Sequence, residues 1–185
     1  PWNRFRRVDG KGVDAVLGPE MKSTGEVMGI ANTFGEAYSK SQSAAFGALP
    51  KTGRVFISLS DADKSDALAP VKELISLGFQ VVTTHGTHNF FAENGINSVV
   101  VRKHSEGKGP NGEPTSVDLI NQGDVNLVIN TPLGRGSRQD GWLIRTAAIQ
   151  RSVPIITTIA GFKAAVSGMS VLKDKSFDIN SVQEW

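Results

Sequence analysis

The nine residues FQVVTTHGT, 79–87, decide the architecture. An apolar, β-branched run gives way at once to threonines, a histidine and a glycine, and a segment of helical period follows; that is how a strand hands the chain to a helix in a sheet covered by helices. The segment before it, SDALAPVKELISL at 65–77, has helical period and is stopped by Gly78, which serves as a left-handed cap. Before that again stands RVFISLS, 54–60, a strand. The same alternation continues downstream. A short helix at 87–94 ends at Gly95. NSVVVRK, 97–103, is a strand, and after the polar loop HSEGKGPNGEPT a helix runs from 116 to 122 with Ser116 as its cap. VNLVINT, 125–131, is the next strand, followed by PLGRGSRQDG, a helix at 142–151, a strand at 153–159 and a helix opening near Gly161. The expectation is an α/β fold: a five-stranded parallel sheet flanked by helices in a Rossmann-like three-layer arrangement.

Residues 1–50 do not share this rhythm. They are rich in Gly, Arg and charge up to Thr24, then carry one helix candidate at 33–46 with Ala and Phe on one face; ALPKTG, 48–53, reads as a linker. The chain has 185 residues, enough to bury a self-sufficient core. Its 20 Lys+Arg against 18 Asp+Glu give a formal charge of +2, too small to point to a polyanion, so nucleic acid is not expected as a partner. The absence of cysteine excludes disulfides, thiolate metal sites and cysteine nucleophiles. No apolar run approaches the roughly 20 residues of a membrane span. The opening PWNRFRRVDG has no apolar signal segment, and a cytoplasmic protein, begun inside a longer one, is expected.

In an open parallel sheet, ligands bind where the carboxyl ends of the strands release their loops, because helix N-termini aim backbone N–H groups into that crevice. Here those ends read Ser60-Asp61-Ala62-Asp63-Lys64, Thr84-His85-Gly86-Thr87, Lys103-His104, Asn130-Thr131 and Thr157-Thr158. Hydroxyls, an amide, a glycine and two lysines are what a phosphate or carboxylate needs: short donors, backbone that can come close, and cations. Arg135 and Arg138 could add planar donor forks. Taken one at a time, the same residues have plainer uses: Thr83 and Thr84 as β-branched strand positions, Thr87 as a helix cap, His85 as a packing histidine. As a set at five strand ends they point to an anion pocket. Proton-transfer candidates are Asp61, Asp63, His85, His104 and Asp118, but none pairs with another, and Asp61 and Asp63 precede a helix whose dipole they would complement. Asn130-Thr131 can bind but not exchange protons near neutral pH, which favours a binding module over an enzyme.

LGPEMKSTGEVMG, 17–29, resembles the end of the second ATP-grasp unit of the carbamoyl phosphate synthetase large subunit. From residue 51 on, SLSDADK, GFQVVTTHGT, AENGIN and VINT resemble the methylglyoxal-synthase-like regulatory domain that ends the same subunit, a fold shared with methylglyoxal synthase and a cyclohydrolase of purine synthesis. The resemblance implies two parts, 1–50 from the ATP-grasp unit and 51–185 as an allosteric domain, without catalytic residues or metal of its own. It implies effectors: UMP as inhibitor, IMP and ornithine as activators. By motif, the nucleotide phosphate is met by Lys64, Thr84, Gly86, Thr87 and Lys103, with Asn130 and Thr131 lining the same pocket and Thr157 placed for ornithine. It implies further that the segment takes no cofactor, while the parent ligase uses ATP and magnesium or manganese. The parent makes carbamoyl phosphate for pyrimidine and arginine synthesis with a glutaminase small subunit. Homo-oligomers are compatible with it. Many bacterial members read Asn-Thr-Thr where this chain has Asn130-Thr131-Pro132, a hydroxyl replaced by a residue with neither hydroxyl nor N–H. The competing reading is a stand-alone lyase or cyclohydrolase of the same fold.

Overall fold

The computed structural model describes residues 27–45, 47–131, 138–173, 180, 181 and 183. In chain order the elements are α1 (Phe34–Ala45), β1 (Arg54–Leu59), α2 (Lys64–Ser76), β2 (Gln80–Thr84), α3 (His85–Glu93), β3 (Val99–Val101), α4 (Ser116–Gln122), β4 (Leu127–Thr131), α5 (Arg138–Gln150), β5 (Ile155–Ile156) and α6 (Ile159–Leu172). The five strands form one parallel sheet in the order β3-β2-β1-β4-β5, with β1 at its centre.

Strands buried on both faces carry apolar residues at successive positions, and alternation then decides which layer each one meets. Val55, Ile57 and Leu59 of β1, with Leu127 and Ile129 of β4, face a core closed by Ala67, Val71 and Leu74 of α2, Phe91 of α3 and Phe162 and Val166 of α6. Phe56, Val82 and Val128 face the other way, onto Ile120 of α4 and Ile144 and Ala148 of α5. A slip of one residue would exchange the two sets, so the register is fixed by packing. Each such Val, Leu, Ile or Phe contributes about 1.5–3 kcal/mol when fully buried.

The helix ends follow local rules. After α2, Gly78 adopts φ +96° and Phe79 N–H reaches back to Leu74 O at 3.1 Å, a Schellman stop that swings the chain straight into β2. α4 is capped by Thr115, whose Oγ1 accepts from Asp118 N–H at 3.3 Å while Asp118 Oδ2 accepts from Thr115 N–H at 3.0 Å. Ser116, expected as that cap, is instead the first helical residue. Likewise α3 begins two residues before the expected start: Thr84 is its N-cap residue, and Thr87, expected as a possible cap, lies inside the first turn.

α1 lies against α6 at backbone distance. A Cβ added at Gly168 of α6 would meet Gly35 O at 2.9 Å, and one at Gly35 would meet Ser167 O at 2.8 Å. The helix expected at 33–46 thus packs on the sheet-bearing unit, with Ser39 fully buried in the contact. Of the 17–29 stretch, only residues 27–29 fall among the described residues.

Candidate functional site

At the carboxyl edge of the sheet a cavity of about 250 Å³ opens between the two helix layers. Its floor is made by strand ends, including Ser58, Thr84 and Asn130. One wall comes from the α2–α3 layer, with Lys64, Gly86 and Thr87; the other comes from the α4–α5 layer, with Ser116, Asp140 and Ile144. Lys103 stands at the end of β3 on the rim. Six of the sequence-selected positions, Lys64, Thr84, Gly86, Thr87, Lys103 and Asn130, therefore come together in one place.

Lys64 is the cation of the first wall. Its Nζ donates to Gly86 O at 2.9 Å and pairs with Asp61 Oδ1 at 2.6 Å, and it sits 6.0 Å from the centre of the Phe90 ring. Asp61 is almost fully exposed, and the Lys64 hydrogen bond, then its charge, hold the Asp61 carboxyl below the usual carboxylate range. Thr87 is 1 % exposed, and its Oγ1 accepts from Leu59 N–H at 3.4 Å, which leaves its own hydrogen to donate. Neither α2 nor α3 has a side chain capping its N-terminus, whereas α4 and α6 are capped by Thr115 and Thr158. A 3-10 turn, Asp61–Asp63, runs straight into α2, so it is the first backbone N–H groups of α3, which follows extended Thr84, that remain for a ligand, with a positive helix end behind them. Gly86 needs no special backbone angle, and a Cβ there would meet nothing nearer than Lys64 Nζ at 3.9 Å. Its missing side chain keeps open the space over those N–H groups.

On the second wall, Asp140 accepts from Ser105 N–H at 3.0 Å and from Ser105 Oγ at 2.7 Å, which ties the 104–106 turn, and so the end of β3, to α5. Asn130 Oδ1 accepts from Arg145 Nη1 at 2.9 Å. Two polar atoms of the cavity lining are buried without a partner among the described residues: Asn130 Nδ2 and Ser116 Oγ.

The remaining expected residues lie elsewhere. Thr131 and Thr157 line an adjoining cavity of about 270 Å³ with Asp63, Arg145 and Thr158, and among the described residues only Asn130 borders both. Strand alternation is the reason: Thr131 follows Leu127 and Ile129 to the opposite side of the sheet from Asn130. Thr131 Oγ1 is another buried atom with no partner among the described residues. Arg135 and Pro132 lie outside the described residues, and so does the side chain of Arg138, the first residue of α5. Thr83 is fully buried and bonds Ser98 Oγ at 3.3 Å, behind the wall rather than on it. His85 lines a third hollow beside β3, and Asp118 belongs to the α4 cap. Among the described residues no group of three His, Cys, Asp or Glu side chains could hold a metal ion, and no helix is long and apolar enough to cross a membrane.

Sequence reasoning missed Ser58, Ser116, Asp140 and Arg145. Asp140 and Arg145 act through partners 35 and 15 residues away, a pairing no local pattern announces. Thr115-x-x-Asp118, a capping-box spacing, would have moved the cap off Ser116 and freed its hydroxyl for another role.

Residues 66–157 match the MGS-like domain family. Over its whole length the chain is 53% identical to the carbamoyl phosphate synthase large chain of Streptomyces griseus and of Streptomyces coelicolor, and 50% identical to that of Mycobacterium tuberculosis. It spans 17% of the length of each of these relatives. The chain carries an MGS-like domain and is, from end to end, a relative of the C-terminal region of carbamoyl phosphate synthase large chains.

Proposed function

We propose that this segment is the effector-binding module of a carbamoyl phosphate synthase large chain, and that its strand-edge cavity takes a phosphorylated nucleotide such as UMP or IMP. The observation that carries the reading is the first wall: Lys64 Nζ bonded to Gly86 O at the N-terminus of α3, which has no side-chain cap, with open space over Gly86. A phosphate there would accept from backbone N–H groups and from Thr87, and would compete with exposed Asp61 for Lys64. Ornithine would occupy the adjoining cavity that Thr157 lines.

In this reading the rest of the large chain, with a glutaminase small subunit, uses ATP and magnesium to make carbamoyl phosphate in the cytoplasm for pyrimidine and arginine synthesis. Residues 1–50 are then the tail of its second ATP-grasp unit. The effector acts by binding two states of the assembly unequally. Calorimetric titration with UMP, IMP and ornithine tests the assignment. Lys64→Ala should weaken UMP binding about 10–150-fold, the equivalent of one hydrogen bond to a charged group. An unchanged UMP affinity would show that the phosphate sits elsewhere.

A further inference from the structure

The sequence holds two Asn-Gly pairs, Asn94-Gly95 and Asn111-Gly112. Asparagine before glycine has a chemistry of its own, because glycine has no Cβ to keep its backbone nitrogen away from the side-chain amide of the residue before it. The fold treats the two pairs differently. Asn94 closes the end of α3: its Nδ2 donates to Phe90 O at 2.8 Å, Gly95 N–H donates to Ala92 O at 3.0 Å, and the next residue, Ile96, is 3 % exposed with its N–H on Phe91 O at 2.9 Å. Asn111 lies in the loop between β3 and α4, where no residue from Lys103 to Pro114 is buried. There the turn closes on itself. Gly112 N–H donates to Gly109 O at 2.9 Å and Gly109 N–H to Glu113 O at 3.0 Å, while Asn111 Nδ2 and N–H donate to the Glu113 carboxylate at 3.0 and 3.1 Å.

We infer that Asn111-Gly112 is a self-modification site, at which the chain takes up water and loses ammonia, and that the end of α3 holds Asn94-Gly95 out of the same reaction. The Gly112 nitrogen attacks Asn111 Cγ, the bond from Cγ to Nδ2 breaks, and the Gly112 proton leaves with that nitrogen as ammonia. A five-membered imide remains. Water adds to one of its two carbonyls and breaks that carbonyl's bond to nitrogen, which takes the proton; the product is aspartate, or isoaspartate with the main chain rerouted through the side chain. Nothing is oxidised or reduced. At Asn94 the reaction requires the end of α3 to come apart and Ile96 to leave the core, which lowers the open population by about 10–150-fold, the equivalent of exposing one such side chain. Asn111 is freed by breaking the turn's own hydrogen bonds, with no buried side chain to expose. The product also undoes the turn. Glu113's own N–H, then the Asn111 amide, hold the Glu113 carboxyl below the usual carboxylate range, so it is ionised at neutral pH. A carboxylate at 111 removes the donor to Glu113 and puts a like charge in its place, beside Lys108.

The test is to age the chain in mildly alkaline buffer, native and in denaturant, and to follow aspartate and isoaspartate at both positions by peptide mapping, with isoaspartyl methyltransferase labelling as the second readout. In the native chain residue 111 should convert at least about tenfold faster than residue 94, and in denaturant the two should convert at similar rates. Asn111→Gln, which keeps the neutral donor but would need a larger ring, should abolish the labelling at 111. Asn111→Asp should speed tryptic cleavage after Lys108 by about 2–10-fold, the effect of losing one surface hydrogen bond, while Asn111→Gln stays near the wild type. Conversion at 94 as fast as at 111 in the native chain, or a ratio that persists in denaturant, overturns the inference. Unchanged cleavage of Asn111→Asp overturns the opening of the turn.

Discussion

Gly86→Ala separates a glycine kept for the fold from one kept for a ligand. Gly86 is the second residue of α3, its φ is not in the left-handed region, and an added Cβ meets only Lys64 Nζ at ordinary contact distance. Alanine is the better helix former by about 0.8–1.0 kcal/mol in a helix interior. In the first turn part of that gain survives, about 0.5 kcal/mol, and for a chain of this size it raises the melting temperature by about 1–2 °C. Binding should move the other way. A methyl group over the α3 N-terminus stands where a phosphate oxygen would approach, and losing one such charge-assisted hydrogen bond costs about 1.5–3 kcal/mol, or about 10–150-fold in Kd. Thermal melts without ligand and calorimetric titration with UMP, run side by side, read both effects. A variant that melts higher and binds UMP as tightly as the wild type would refute the argument that the glycine is there to admit the phosphate. A variant that melts several degrees lower would show that Gly86 is a structural residue after all.

Three further outcomes follow from the same geometry. The hydrogen bond from Thr115 N–H holds the Asp118 carboxyl below its ordinary value, so its stabilising contribution is complete above the unfolded pKa and disappears as pH falls through the lower folded one. Asp118→Asn should therefore cost about 1 kcal/mol at pH 7, with the difference from the wild type shrinking in denaturant titrations repeated toward pH 3; a constant difference would refute this. Gly168→Ala should push α1 off α6 at a cost of about 1–3 kcal/mol, seen as faster proteolysis between α1 and β1, because its Cβ has only backbone and a buried serine to meet. Incubation with dihydroxyacetone phosphate should yield no methylglyoxal, and its formation would favour the lyase reading.

The strands were legible where packing on both faces left a continuous apolar run, as in 54–59 and 127–131, and less so where it did not. Residues 153–159 read as one strand, yet only Ile155–Ile156 pair, because Thr158 turns its hydroxyl to Gly161 N–H at 3.1 Å and starts α6. At the other edge, residues 97–103 shorten to Val99–Val101, with Val99 and Val100 exposed, since an edge strand has a neighbour on one side only. The cationic wall of the site was readable because Lys64, Gly86 and Thr87 are each close in sequence to a strand end. The neutral wall was not, because Ser116 and Asp140 reach the cavity only once two helices have docked on the sheet. Thr131 illustrates the limit of a motif: adjacency in sequence to Asn130 sends it through the sheet to a different cavity.

The contact of α1 with α6 has a mechanical meaning. Long side chains between two helices act as springs, changing rotamer to take up a sliding motion; Gly35, Ser39 and Gly168 leave no such play, since what touches is main chain and a buried hydroxyl. α6 begins at Thr158, on the lip of the cavity that Thr131 and Thr157 share, and Tyr38 of α1 reaches the same helix end near Gly161. A displacement of α6 there cannot be absorbed at the joint, so α1 must travel with it and carry the motion to whatever precedes the domain.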